Sequence, residues 1–159
     1  CSTVWTRLAE RFGPQLPLPH ACLAVTVELR GEADVDHARA AVDAEGIVRF
    51  LQHRGLVLAA DAPPLPPLRC EPTPLAGSIP LIAPRGGVVV FLRGPGARVV
   101  CGEPLVDLID PIEGEVLTLT SPVDGLFFAR ENRRFAMAGM PLGKVAGREP
   151  RRSGSLLSA

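Results

Sequence analysis

Glu28 is the residue whose setting in the sequence most directly raises a question of chemistry. It lies in the stretch ACLAVTVELRG, residues 21–31, whose apolar and β-branched residues predict a strand over residues 21–30. A period of two places the valines and the last leucine on one face and Glu28 on the opposite face, beside Arg30. Periodicity alone favours a solvated acid paired with Arg30. The other interpretation is a carboxylate that a sheet holds rigidly for proton transfer.

A second group of charged residues lies farther along the chain. The carboxylates Asp107, Asp110, Glu113 and Glu115 fall close together in the sequence, and carboxylate oxygens can bind a cation. Solvated carboxylates in a turn are the commoner arrangement. Arg85 precedes two glycines and is suited either to a substrate carboxylate or to a simple surface role. The sequence leaves both alternatives open at each place.

Composition narrows the classes of function. Seventeen basic and seventeen acidic residues give a formal net charge of zero, which argues against a nucleic-acid or polyanion binder. A hydrophobic fraction of 47% is sufficient for a core. With neither a signal peptide nor an apolar run long enough to span a bilayer, we expect a soluble cytoplasmic protein. Because the chain begins with Cys1 and enters a helical pattern at once, we expect it to be a piece of a longer protein.

The cysteines give no sign of a metal or redox centre. Four cysteines are widely spaced and form no C-x-x-C pair, which argues against a zinc knuckle, a redox dithiol and a disulfide scaffold. Cys22 and Cys101 lie in apolar surroundings, and we expect both to be inert core thiols.

The pattern of residues 1–61 predicts helix, strand and helix in that order. The first helix covers residues 4–12. The second begins near Asp34, an N-cap candidate, and runs to about Arg54, where Gly55 closes it. This order fits the C-terminal edge of an α/β domain but is too small to build one.

Residues 77–147 carry an internal repeat of short apolar strands. The stretch GVVVFLR from Gly87, followed by the turn GEPL from Gly102, is echoed by GLFFAR from Gly125, followed by GMPL from Gly139. Glycine supplies the positive φ that such tight turns need. Each copy is unable to bury its apolar face alone, so the pair predicts one β-sandwich.

Two segments flank this repeat. Residues 62–76 predict a stiff linker, because the first thirteen of them include six prolines. A ligand for an SH3-type module is the weaker alternative for that segment. Residues 148–159 lack periodicity, and we expect this tail to be disordered.

The repeat resembles the barrel-sandwich hybrid of biotinyl and lipoyl carrier domains. Those carriers present a modifiable lysine at the tip of the hairpin between the two halves. Here the corresponding turn, residues 109–114, contains no lysine, and the chain's only lysine, Lys144, lies at the end of the second copy. We therefore expect a shared scaffold without the swinging-arm function.

The order of motifs along the chain resembles another family more specifically. The stretches PHACLAVTVELRGEADV and RFLQHRG, a proline-rich link, and then APRGGVVV, IDPIEGEV and SPVDG follow one another in that order. Together they resemble the succinylglutamate desuccinylase and aspartoacylase family of zinc-dependent deacylases. The resemblance covers roughly residues 1–147, as the C-terminal portion of such an enzyme.

This resemblance implies an α+β chain, in which the edge of a carboxypeptidase-like α/β domain precedes an all-β barrel-sandwich hybrid domain. In the family, zinc is held by a His-x-x-Glu motif and a later histidine, and a glutamate on a core strand is the general base. The V-T-V-E-L match carries that role to Glu28. His20, His37 and His53 begin no His-x-x-Glu, so we expect zinc in the full-length enzyme and its ligands outside this chain. We expect His20 in a loop and the other two on a helix surface.

The resulting hypothesis is the C-terminal part of a zinc-dependent hydrolase that cleaves the amide bond of an N-acyl amino acid or a similar small substrate. We expect the isolated chain to be inactive. The alternative is a non-catalytic β-sandwich module for binding or oligomerisation. The expected partners are the substrate and the missing N-terminal catalytic half, with a homo-oligomer left open and with neither nucleic acid nor membrane. The sequence does not define the acyl group or the amine.

Overall fold

The structure, a computed structural model, divides into two compact units. We call Cys1–Pro64 the helical unit and Leu65–Ala159 the β-unit. In the described part of the chain the first contains two helices and the second eight short strands, so the α+β class is confirmed. The described residues are 2–19, 25–58, 64–68, 70–154 and 156.

The helical unit contains α1, Ser2–Phe12, and α2, His37–His53, close to the two helices that the sequence predicts. The N-cap of α2 is Asp36 rather than Asp34. Its carboxylate accepts a hydrogen bond of 2.8 Å from the backbone N–H of Arg39, which satisfies one of the unpaired donors of the first turn. No described helix is both long enough and apolar enough to cross a membrane.

The β-unit begins with a 3₁₀ turn at Leu75–Gly77. Its strands are β1 Ser78–Ile82, β2 Gly87–Phe91, β3 Ala97–Val99, β4 Pro104–Ile109, β5 Val116–Thr120, β6 Gly125–Arg130, β7 Phe135–Ala136 and β8 Pro141–Gly147. They form two four-stranded sheets in which every pairing is antiparallel. Sheet A has the order β1-β8-β6-β3, and sheet B has the order β5-β4-β2-β7.

The two copies of the internal repeat are interlocked in the structure. Strand β3 of the first copy pairs with β6 of the second, while β7 of the second copy pairs with β2 of the first. The two turns are equivalent: Gly102 and Gly139 both have φ of 84°, the left-handed conformation that favours glycine. The N–H of Gly102 donates to the carbonyl of Ser121 at 2.8 Å, and the N–H of Gly139 donates to the carbonyl of Ala83 at 2.8 Å.

Both sheets contribute to one hydrophobic core. Phe127 of sheet A and Leu108 of sheet B are fully buried within it, together with Leu105, Val106, Leu142 and Val145. The buried hydroxyl of Ser121 donates to the carbonyl of Val123 at 2.6 Å, so this polar group keeps a partner inside the unit.

The start of the C-terminal tail is attached to the beginning of the β-unit. The backbone N–H groups of Arg151 and Arg152 donate to the carbonyl of Ala76 at 2.9 and 3.0 Å. The guanidinium of Arg152 donates to the carbonyl of Ser78 at 3.2 Å. These bonds cover one end of the exposed edge of β1.

Candidate functional site

Glu28 lies on an exposed segment without regular structure. Residues 25–29 form no strand and all of them are exposed, whereas residues 21–24 lie outside the described part of the chain. The predicted strand is therefore wrong for residues 25–30. A strand requires a neighbour for its N–H and C=O groups, and the described residues of the helical unit form only helices, turns and irregular segments.

The cation nearest to Glu28 in sequence is paired elsewhere. Arg30 has a left-handed φ of 65°, and its guanidinium forms an ion pair with Asp43 of α2. The hydrogen bond and the charge of Asp43 raise the pKa of Arg30 above its ordinary value. The pairing of Glu28 with Arg30 is absent, and Glu28 has no hydrogen bond or ion pair within the described residues.

The loop that follows Glu28 is tied to the start of α2. The N–H of Gly31 donates to the carboxylate of Asp34 at 3.2 Å, and the guanidinium of Arg39 donates to the same carboxylate at 3.0 Å. These contacts are exposed and individually weak, but several of them act together. They restrain the loop after Glu28 relative to the helix.

Apolar side chains around Glu28 remain uncovered. Val25, Val27 and Leu29 are 63%, 65% and 52% exposed, and α2 has no buried residue. Folded domains normally bury such side chains, since each contributes to stability only when it is removed from water. The exposed large hydrophobic residues of α2 are Val42, Ile47, Val48 and Phe50.

The carboxylates at the hairpin turn are bound by donors of the protein itself. Asp110 accepts hydrogen bonds from the N–H groups of Ile112 at 2.8 Å and Glu113 at 3.2 Å, and these bonds lower the pKa of Asp110. Asp107 accepts from the hydroxyl of Thr118 at 2.6 Å. This arrangement is an Asx turn beside a cross-strand pair, and it favours the structural interpretation of the cluster over a cation site.

Arg85 is also engaged within the β-unit. Its guanidinium donates to the Glu115 carboxylate at 3.1 Å and to the Glu115 backbone carbonyl at 3.2 Å. Its Nε is buried and has no hydrogen-bond partner among the described residues. Arg85 therefore fastens the segment before β2 to the segment before β5, rather than presenting a free guanidinium to a substrate.

The described residues do not fit a zinc centre. His37 begins α2 and His53 ends it, both exposed, while His20 lies outside the described residues. No group of three or more His, Cys, Asp or Glu side chains in the described ranges is arranged to hold a metal ion. A four-coordinate zinc site needs three or four such ligands together.

Cys101 is exposed, so its prediction as a core thiol is wrong, and Cys22 lies outside the described residues. Cys101 occupies the turn between β3 and β4, where its N–H donates to the Asp124 carboxylate at 2.6 Å. It borders a groove of about 820 Å³, which Arg98 and Arg148 also line. Their side chains are exposed, so the groove indicates no particular ligand.

A row of apolar side chains crosses the outer face of sheet B. Phe135 pairs with Val88, Val88 pairs with Ile109, and Ile109 pairs with Val116. The row faces outward because the neighbouring Val89 is buried and side chains alternate along a strand. We call these four residues the sheet B row. Its two ends, Phe135 and Val116, are 53% and 57% exposed.

The fold itself does not require this row to be apolar. The equivalent positions of sheet A are connected by the same pairings and carry Arg98, Leu126, Ala146 and Ser78. Two copies of one repeat therefore tolerate quite different outer faces. The sheet B row is a candidate interaction surface.

Comparison with solved structures identifies the family of proteins that this chain resembles. A succinylglutamate desuccinylase/aspartoacylase from Shewanella frigidimarina NCIMB 400 matches 92% of this chain with a TM-score of 0.77 and 25% sequence identity. A succinylglutamate desuccinylase/aspartoacylase family protein from Shewanella amazonensis SB2B matches 70% of this chain with a TM-score of 0.60 and 30% identity. The resemblance to this family is confirmed.

The chain spans 40% of the first neighbour's length and 31% of the second's, which fits a C-terminal portion of a family protein. The product-bound ectoine utilization protein EutE (DoeB) from Ruegeria pomeroyi shares the fold over 72% of this chain and 34% of its own, with a TM-score of 0.58 and 16% identity. No family model matches the sequence, and no curated protein matches it.

Proposed function

We propose that this chain is the C-terminal part of a zinc-dependent hydrolase that cleaves the amide bond of an N-acyl amino acid or a similar small substrate, with Glu28 as general base. One observation carries the proposal. The segment around Glu28 has the composition of a strand, yet it is exposed and unpaired in a chain that covers less than half of its structural neighbours. The upstream part of the longer polypeptide would supply the sheet that pairs with this segment and holds the carboxylate in place.

Glu28 has the chemistry that the role requires. A carboxylate can accept a proton from the attacking water and return it to the departing amine. A cation paired with the carboxylate would occupy the oxygens that must accept the proton of the water. Because Arg30 is paired with Asp43, it leaves Glu28 without such a neighbour. Zinc would be held by the upstream part, since the described residues lack a ligand set for it.

The wider architecture is part of the same proposal. We assign the helical unit to the C-terminal edge of a carboxypeptidase-like α/β domain and the β-unit to a barrel-sandwich hybrid domain. Support for the second assignment comes from the exchange of short strands between two equivalent halves. We place the full-length enzyme in the cytoplasm.

The test uses the longer polypeptide with its upstream part and a panel of N-acyl amino acids. We expect Glu28→Gln to lower kcat by about 100- to 10,000-fold, the usual contribution of a general base, while the zinc content stays unchanged. Glu32→Gln, at an exposed position four residues along, is the matched control and should keep its activity. Near-normal turnover of Glu28→Gln would refute the assignment, and loss of zinc would make Glu28 a metal ligand instead.

The isolated 159-residue chain offers a separate check. Metal analysis should find no stoichiometric zinc on it, because the ligands are expected upstream. One zinc per chain would contradict the proposal that the zinc ligands lie in the upstream part.

The second candidate function is a non-catalytic module for binding or oligomerisation. The sheet B row favours it, since two halves of one fold differ there without a structural need. The reading frame upstream of Cys1 separates the candidates: a His-x-x-Glu motif followed by a later histidine supports the hydrolase. A start codon immediately before Cys1 supports the module.

A further inference from the structure

The four edge strands of the β-unit differ in how well they are protected. Strand β3 has three residues and β7 has two, so both are too short to attract a partner strand. Strand β1 contains Pro80, which has no N–H, and the carbonyl of Ser78 accepts a hydrogen bond from Arg152. Strand β5, VLTLT, has five residues and neither proline nor charge. Such an edge is a ready template for another strand.

The repeat makes the contrast between β1 and β5 direct. Pro80 of β1 pairs with Lys144 of β8, and Thr118 of β5 pairs with Asp107 of β4. Strands β8 and β4 are equivalent elements of the two copies, so Pro80 and Thr118 occupy the same position of the fold. At this position the edge of sheet A lacks an N–H, because the residue is Pro80, whereas the edge of sheet B keeps the N–H of Thr118.

The open edge of β5 presents its backbone groups outward. The N–H of Asp110 donates to the carbonyl of Glu115, and hydrogen-bonded pairs alternate along an antiparallel ladder. The N–H and C=O of Leu117 therefore face β4. In the described part of the chain, β4 is the only strand that pairs with β5. The outward N–H and C=O groups belong to Val116, Thr118 and Thr120.

We propose that two copies of this chain pair antiparallel through β5, with the two-fold axis at Thr118. The two sheets B would then form one continuous sheet of eight strands. We choose a second copy as the occupant because β5 is complementary to itself. Around Thr118, apolar Leu117 meets Leu119 of the partner subunit, and Val116 meets Thr120 of the partner subunit.

The chemistry of this pairing favours association. Both leucines are partly buried at the edge of the core, so a partner strand would cover the remainder of their surface. No charge of β5 opposes another charge, and the Asp107 carboxylate beside it is already bound by the Thr118 hydroxyl. Three outward-facing residues in each copy provide six reciprocal backbone hydrogen bonds. This inference is independent of the proposed hydrolase activity.

Sedimentation equilibrium of the 159-residue chain measures the dimer, and Thr118→Pro tests the edge. We expect a concentration-dependent dimer that the substitution weakens by at least about tenfold, because it removes two of the six hydrogen bonds and places a ring against the partner. The fold should accept the substitution, since Pro80 occupies the equivalent position of β1. Thr118→Ala is the matched control: it removes the same hydroxyl but keeps the N–H, so it should dimerise clearly more tightly than Thr118→Pro.

Two further measurements separate a loss of pairing from a folding defect. Thr118→Glu places two carboxylates opposite each other across the axis, beside the Asp107 carboxylates, so its dimer should be weaker at low salt and recover at high salt. Hydrogen exchange of the wild type should show protection of the Val116, Thr118 and Thr120 amides that is lost on dilution. A chain that is monomeric at all concentrations up to about 1 mM overturns the proposal. A dimer unaffected by Thr118→Pro overturns it equally.

Discussion

Replacing Gly143 by alanine should destabilise the β-unit, because the added methyl group has no space. A Cβ atom at this position would lie 2.6 Å from Cε2 of Phe127 and 2.7 Å from the carbonyl oxygen of Ala129. Ordinary contacts of a Cβ atom begin near 3.4 Å. Phe127 is fully buried and the Ala129 atom belongs to the backbone, so neither neighbour can simply turn away.

The expected cost follows from this geometry. Overpacking of a close-packed core costs about 1–3 kcal/mol, and two rigid neighbours place Gly143→Ala near the upper end, at about 3 kcal/mol. For a domain of this size, about 1 kcal/mol lowers Tm by roughly 4–8 °C, so calorimetry of the chain should show a loss of roughly 12–24 °C. Gly94→Ala is the control, since a Cβ there has no neighbour within 4 Å.

A double-mutant cycle sharpens this prediction. In sheet B the positions equivalent to Phe127 and Gly143 carry Val89 and Val106, so the ring and the glycine of sheet A fill the space that two valines fill in sheet B. Phe127→Leu should therefore cost less in the Gly143→Ala background than alone, with an interaction energy of about 1 kcal/mol or more. Additive effects, or a Tm for Gly143→Ala equal to that of the control, would refute the reasoning.

Three other changes have defined outcomes. Hydrogen bonds from the side chain and backbone of Arg133 lower the pKa of Glu131 to about 2. The ionised carboxylate therefore stabilises the wild type relative to Glu131→Gln. The difference in unfolding free energy between the two should be largest above about pH 4.5 and should disappear as the pH falls towards 2, which urea titrations across that range can measure. Leu108→Ala, at a fully buried position, should cost about 2–5 kcal/mol in urea unfolding at neutral pH, and a smaller loss would mean that the core collapses around the site. Gly139→Ala, at a φ of 84°, should cost about 1–2 kcal/mol, whereas Gly94→Ala should cost much less; equal values would contradict the backbone argument.

The repeat could be predicted from the sequence because its signals are local. The turns at Gly102 and Gly139 require a positive φ, which glycine accepts readily, and both have it in the structure. The strands beside them alternate between buried and exposed residues over short distances. The exchange of β3 and β7 between the copies could not be predicted in this way, since it depends on pairings between distant segments.

The predictions that proved wrong all depended on contacts with residues distant in the sequence. Residues 25–30 have the composition of a strand, yet composition does not supply the neighbouring strand that a strand needs. Arg30 pairs with Asp43, thirteen residues away, rather than with Glu28 nearby. Cys101 lies among apolar residues in the sequence, but its turn directs it to solvent. The role of Glu28 stays a prediction, because it depends on residues that this chain does not contain.

The exchanged short strands also have a consequence for biosynthesis. Strand β2 has no β7 beside it, and β3 has no β6, until the second copy has left the ribosome. Until then the first copy can form only a hairpin with exposed apolar residues. Both sheets can be completed only after β8 has emerged. We expect the β-unit to fold only once β8 is available for pairing, in a single slow step dominated by contacts between distant residues. If the chain is cut between the copies, we expect neither fragment to fold alone, because each needs strand pairings from the other.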